Sequence, residues 1–205
     1  MSLKVNPNRM ELLRLRKRLV VAKRGHKLLK DKRDALIQEF ISLAKENKKV
    51  REELEEKLIK CYVVFSNASS SMSRISLEES LMFPNAKSGT EVFHKNIMSV
   101  IVPKYKFICE GKYYAYSLVD TNAELDSALN NFYEILPLML KLAELDKTVT
   151  LLANEIEKTR RRVNALEYVL IPDLEETIKF ITMKLDEMAR SNSSAIMRIK
   201  EIIRK

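Results

Sequence analysis

Apolar residues recur along the opening stretch of the chain in alternating steps of three and four. One series runs Leu12, Leu19, His26, Arg33, Phe40, Asn47, Leu54 and Cys61; the interleaved series runs Leu15, Ala22, Leu29, Leu36, Leu43, Val50 and Lys57. A seven-residue repeat sustained this long predicts a coiled-coil seam with a left-handed supercoil, because an ordinary globular helix drifts out of such a repeat. Asn6-Pro7 predicts the start: Asn accepts from an orphan N–H as N-cap, and Pro is at ease at the first helical position. The reading is an N-terminal coiled-coil helix over 6–65. The polar seam residues His26, Arg33, Asn47 and Lys57 either fix register or mark points of loose packing.

A second tract of the same kind fills 119–205. Thr121 and Glu124 have the spacing of a capping box. Behind them the seam reads Ala128, Asn131, Ile135, Leu138, Leu142, Leu145, Val149, Leu152, Ile156, Thr159, Val163, Leu166 and Leu170. Pro137 is expected to bend the helix. After Leu170 the phase changes to Leu174, Ile178, Ile181 and Leu185, beside Pro172; this reads as a four-residue stutter with local unwinding or a kink. The second helix outruns the first, so its last turns are expected to stand alone as one amphipathic helix.

Between the tracts, 66–118 loses the repeat. Residues 67–73 read as a loop or frayed helix end, and Ser76 to Phe83 as a short helix stopped by Pro84. Residues 97–102 read as a strand stopped by Pro103. Tyr105, Phe107 and Cys109 alternate with polar residues, Glu110-Gly111 marks a turn, and Tyr114, Tyr116 and Leu118 alternate again. The expected insert is therefore a short helix with antiparallel β segments. Its aromatic face either packs on that short helix or forms a partner surface. The fold class is mainly α: an antiparallel two-helix coiled coil made by the N- and C-terminal helices, with a small α/β-hairpin insert in the middle.

Composition agrees with long helices. The chain has 205 residues, with only 3 Gly, 5 Pro and no Trp. Gly25, Gly89 and Gly111 are isolated, so neither GxxxxGK nor GxGxxG is present, and a Gly-rich phosphate loop is excluded. Cys61 and Cys109 make no metal-ligand spacing, and two histidines do not furnish a histidine-rich metal site. No cofactor is expected. No apolar run reaches the length of a membrane span and no signal-peptide pattern opens the chain, so no direct membrane insertion is expected; two cysteines without CxxC or zinc spacing read as a reducing cytoplasm.

The net charge of +9 is unevenly spread: residues 1–33 carry +10, 34–65 carry −1, 66–118 carry +2, 119–158 carry −5 and 159–205 carry +3. Antiparallel pairing would gather the basic segments at one end and the acidic ones at the other. No nucleophile–base pair stands out. Cys61 is a seam residue, His94 reads as a surface or packed histidine, and Glu52-Glu53, Glu55-Glu56 and Glu175-Glu176 read as solvated helix faces. A coiled-coil adaptor and a basic nucleic-acid-binding helical protein are the alternatives. Against the latter, the basic residues run alongside the seam rather than ahead of it, with no aromatic stacking motif.

Two stretches carry a resemblance. The first is Asn6-Pro7-Asn8-Arg9-Met10-Glu11-Leu12, followed by Lys23-Arg24-Gly25-His26-Lys27-Leu28-Leu29-Lys30-Asp31-Lys32-Arg33-Asp34. The second is Glu157-Lys158-Thr159-Arg160-Arg161-Arg162-Val163-Asn164-Ala165-Leu166-Glu167, with Ile171-Pro172 behind it. Together they closely resemble the signatures of the D subunit of V-type and archaeal-type (V/A) rotary ATPases, in order, spacing and near-terminal placement. The resemblance implies a non-catalytic central rotor axle, peripheral to the membrane, coupling ATP hydrolysis or synthesis to proton or sodium ion transport. It implies as partners the catalytic and non-catalytic nucleotide-binding subunits of a hexamer, the small central-stalk F subunit and a collar subunit above the membrane ring, with no nucleic acid. Lys23, Arg24, His26, Arg160, Arg161 and Arg162 are then candidates for contact with the hexamer. Thr159 and Val163 are seam positions, so Arg160 and Arg162 flank the seam and Arg161 points away from it. The acidic segments 34–65 and 119–158 are the expected seat of the small F subunit.

Overall fold

The computed structural model describes residues 6–82, 86–111, 116–117 and 121–204. In chain order they form helix α1 (Arg9–Ser71), helix α2 (Arg74–Met82), strands β1 (Lys87–Ile97) and β2 (Val100–Glu110), helix α3 (Ala123–Ala165), a π-helical turn (Leu166–Leu170) and helix α4 (Ile171–Arg204). They gather into two compact units. The first takes residues 1–35 and 156–205, the second residues 36–155.

Helix α1 is 63 residues long. No proline interrupts 8–83, and apolar residues on one stripe give it a face to bury. It starts two residues later than Asn6-Pro7 predicts, with the Leu12 N–H donating to the Asn8 carbonyl over 3.0 Å. It also runs through 67–71, where a loop or a frayed helix end is expected. Ala68, fully buried, continues the stripe of Leu54 and Cys61, and the Ser70 and Ser71 hydroxyls fold back onto the Asn67 and Ala68 carbonyls. Burial outweighs the weak helix propensity of the serines.

In the first unit the start of α1 lies antiparallel to α4. Leu15, Ala22, Leu174 and Ile181 are its buried core, with Leu12, Leu19, Ile171, Ile178 and Leu185 packed against them. The expected seam residue Leu170 is a correction: it is exposed, and Ile171 takes its place. Seam positions Val163 and Leu166 recur at Ile171 and Leu174, one residue beyond a heptad each. The shift is thus a single extra residue rather than a stutter of four, and the π turn absorbs it. There the Ile171 N–H reaches back to the Leu166 carbonyl, five residues away. Pro172 explains the position: lacking an N–H, it cannot make the ordinary helical bond to residue 168. From residue 186 to 204, α4 is exposed throughout, as its overhang predicts.

In the second unit the later part of α1 lies antiparallel to α3. Leu54, Cys61 and Ile135 form a buried cluster with Leu58, Phe132, Leu138 and Leu142. Tyr62 and Phe65 meet Phe132 edge-on, with ring centroids 5.9 and 6.0 Å away. Lys57 is a second correction: it is exposed, and Leu58 turns to the core in its place. The capping box does not form as expected. The Thr121 hydroxyl donates to the Ser117 carbonyl, while Asn122 precedes the first turn and its amide donates to the Ser71 hydroxyl over 2.9 Å. Helix α3 continues through Pro137.

The insert differs most from its reading. The hairpin turns at Met98-Ser99 and pairs Lys87–Ile97 with Val100–Glu110 in an unbroken antiparallel register, and the turn expected at Glu110-Gly111 ends β2, where Gly111 has φ 100°. Met98 and Ser99 both have positive φ, 49° and 73°, as a two-residue turn between twisted strands demands. The Asn96 side chain supports it by accepting from the Ser99 N–H at 2.9 Å. Pro103 does not stop β2. It lies inside the strand, opposite His94, which a two-stranded ribbon allows because each strand is an edge. The Tyr114 and Leu118 positions lie outside the described residues.

Candidate functional site

The hexamer-contact candidates all belong to the first unit. Lys23 and Arg24 sit on α1 beside the buried Ala22, and both are exposed. Lys23 Nζ lies 2.7 Å from Glu175 Oε1 on α4. One turn along, His26 is half-buried, and its Nε2 is closed to solvent 3.4 Å from Glu167 Oε2, without the alignment of a hydrogen bond. These two pairs set the antiparallel order: as numbers rise along α1 they fall along its partner.

Thr159 and Val163 are each 1% exposed, so the seam runs where the spacing places it. Arg160, Arg161 and Arg162 between them are exposed. Arg161 Nη2 donates to Glu157 Oε1, one turn back on its own helix. The structure thus groups Lys23 and His26 with partners on the facing helix, whereas Arg161 is tied to its own. The exposed Lys23 and Arg161 pairs contribute about 0–1 kcal/mol each, so these two side chains remain available to a partner at little cost.

The second unit carries polar ties and the hairpin. Asp146 accepts from Asn47 Nδ2 at 2.6 Å and pairs with Arg51 at 3.3 Å. Lys141 pairs with Glu46 at 3.2 Å. The hairpin docks on α3: Phe107 meets Tyr133 edge-on at 6.1 Å, and the Tyr105 N–H donates to Glu144 Oε2 at 3.2 Å. Sequence reasoning passed over Glu144 because nothing local marks a helix carboxylate as the cap of a strand edge 39 residues away. Burial pushes the Cys61 thiol above its ordinary pKa, and its Sγ lies 3.7 Å from the Ala128 carbonyl; this is a packed thiol rather than an activated one.

Among the described residues no group of three or more His, Cys, Asp or Glu is placed to hold a metal ion. No described helix is long and apolar enough to cross a membrane.

The family model for the ATP synthase D subunit matches residues 11–201. The V-type ATP synthase D subunit of Thermoanaerobacter sp. (strain X514) is 56% identical over 203 residues, covering 98% of this chain and 97% of that protein. That of Fusobacterium nucleatum subsp. nucleatum is 52% identical over 207 residues, covering 100% and 98%. That of Clostridium novyi (strain NT) is 51% identical over 208 residues, covering 99% and 96%. The chain belongs to the family of V-type ATP synthase D subunits. Membership makes it a component of that complex. The two stretches that carried the resemblance fall largely within the matched span and meet in the first unit, through His26–Glu167.

Proposed function

We propose that the chain is the central-stalk rotor shaft of a V/A-type ATPase, transmitting torque between the catalytic hexamer and the ion-translocating membrane ring. The observation that carries this reading is the antiparallel pairing of helices found within each unit of a chain belonging to the D-subunit family. Two helices whose side chains interdigitate at every turn resist twisting far better than one, because rotating either strand drives its knobs out of the facing holes. The chain itself is non-catalytic in this reading; nucleotide chemistry belongs to the hexamer. The exposed Lys23, Arg24, Arg160, Arg161 and Arg162, with His26 beside them, meet the hexamer's nucleotide-binding subunits. The small F subunit seats on the acidic segments 34–65 and 119–158, and a collar subunit links the shaft to the ring. The shaft works on the cytoplasmic side, peripheral to the membrane, without nucleic acid and without inserting into lipid.

The test is direct observation of rotation. With the hexamer immobilised and a bead fixed to this chain, ATP should drive stepwise rotation of the bead. Full ATP turnover with a stationary bead would overturn the reading.

A further inference from the structure

The two edges of the hairpin are unlike. On β2 the Tyr105 N–H points away from β1, into the carboxylate of Glu144, and Lys104 Nζ lies 3.9 Å from the other carboxylate oxygen. Amides two apart on a strand point to the same side. Pro103, which has no N–H, therefore falls on that same edge. The outer edge of β2 is blunted twice, by a helix carboxylate and by a proline.

Among the described residues, the outer edge of β1 has neither device. A two-residue turn closes on a hydrogen-bonded pair, here Ile97 and Val100, and pairs alternate from there. Val92 with Tyr105 and His94 with Pro103 are then non-bonded pairs, as the outward Tyr105 amide requires. It follows that the N–H and C=O groups of Ser88, Thr90, Val92, His94 and Asn96 face outward from β1. Each of these residues is exposed. Neither proline nor bulge interrupts the strand over its 11 residues. A regular open edge of this length invites pairing with another chain.

Charge selects the occupant. On the face of the ribbon that carries Phe93, 52% exposed, Lys87, Lys95 and Lys106 outweigh Glu91 and Glu110, Lys104 being paired with Glu144. We propose that β1 is a β-augmentation edge that takes an extended acidic segment of a partner chain as a third strand. Main-chain bonds to residues 88–96 hold it, its carboxylates lie beside Lys87 and Lys95, and an apolar side chain covers Phe93. A second copy of this chain brings Lys87 and Lys95 to the matching face and fits less well. The inference leans on the rotor reading only for the assembly used in one arm of its test.

Amide hydrogen exchange reads the edge. The isolated chain is measured alone and with a synthetic nine-residue strand peptide that carries Glu opposite Lys87 and Lys95, Val opposite Phe93 and Thr elsewhere, against one with Lys in place of both Glu; the chain is also measured within the purified ATP synthase. Exchange across 87–97 should slow by about tenfold or more with the acidic peptide and in the complex, and not with the lysine peptide. Val92→Pro deletes one outward donor at a non-bonded pair and should abolish the slowing. The paired change Lys87→Glu with Lys95→Glu leaves the ladder intact and should abolish it too, which keeps the test decisive if the proline variant loses the hairpin. Unchanged exchange in both the peptide and complex arms overturns the proposal. Slowing that grows with chain concentration in the absence of peptide also overturns it, in favour of a second copy. Failure of the chain to purify with the ATP synthase would count against the rotor reading alone, since the peptide arm stands without it.

Discussion

Asn47 Nδ2 donates to Asp146 Oδ1 across 2.6 Å, joining α1 to α3 at a seam position where the heptad asks for an apolar side chain. Asp146 also takes Arg51, so the carboxylate is shared between two donors. Asn47→Ala leaves a half-buried carboxylate with one donor fewer. It should lower stability by about 1–2 kcal/mol, the usual cost of losing a hydrogen bond to a charged group. Urea unfolding of the two chains side by side measures this; an unchanged midpoint would show that water replaces the amide without loss.

Cys61 gives a pH dependence. Burial raises its thiol pKa, so the folded chain holds that proton more tightly than the unfolded one. The contribution to stability is complete below the ordinary thiol value of about 8.5 and is lost as pH climbs from there through the raised folded value. Cys61→Ala should flatten this part of the stability–pH curve. Alkylation at pH 8 should also modify the half-buried Cys109 well ahead of Cys61, and denaturant should erase the difference.

The π turn predicts an unusual tolerance. Removing Val169 takes out the one extra residue and restores unbroken heptads from Val163 to Ile181. Alone, this leaves Pro172 inside a regular helix, at a cost of about 3 kcal/mol. Combined with Pro172→Ala, it should melt at or above the parent temperature. Deleting Val149, which has no compensating turn, should lower the melting temperature sharply. Equal losses in both deletions would mean that the turn does not hold the extra residue.

Arg161→Glu separates surface from fold. The side chain is 77% exposed and pairs only one turn away with Glu157. Reversing its charge should cost about 0.5 kcal/mol or less through like-charge repulsion. Melting of the isolated chain should therefore barely move, while assembly with the hexamer or ATP-driven rotation weakens. Normal assembly and rotation in the variant would reduce Arg161 to a solvated charge.

The seams were legible because burial imposes a period. Leu15, Ala22, Leu36, Leu54, Leu145 and Leu152 are buried where the spacing places them. Lys57 and Leu170 misled because each holds its heptad slot while a neighbour, Leu58 or Ile171, turns inward. The hairpin was legible as β structure but not in register. Its turn uses Met98-Ser99 in place of the usual Asn-Gly signal, and β1 is exposed on both faces, so no alternation marks it. The hexamer-contact candidates came from resemblance; spacing alone puts His26 in the seam and says of the other five only that they stand clear of it.

One inserted residue turns everything after it by about 100° around the helix axis. The side chains of α4 owe their bearings to the turn at Leu166–Leu170: Ile181 and Leu185 face α1, while Met188, Ile196, Ile199 and Ile203, all exposed, continue from the same heading. A further residue in that short segment, beyond the one the turn absorbs, would leave each of those residues chemically intact and aim it elsewhere. The turn is the compass of the C-terminal helix.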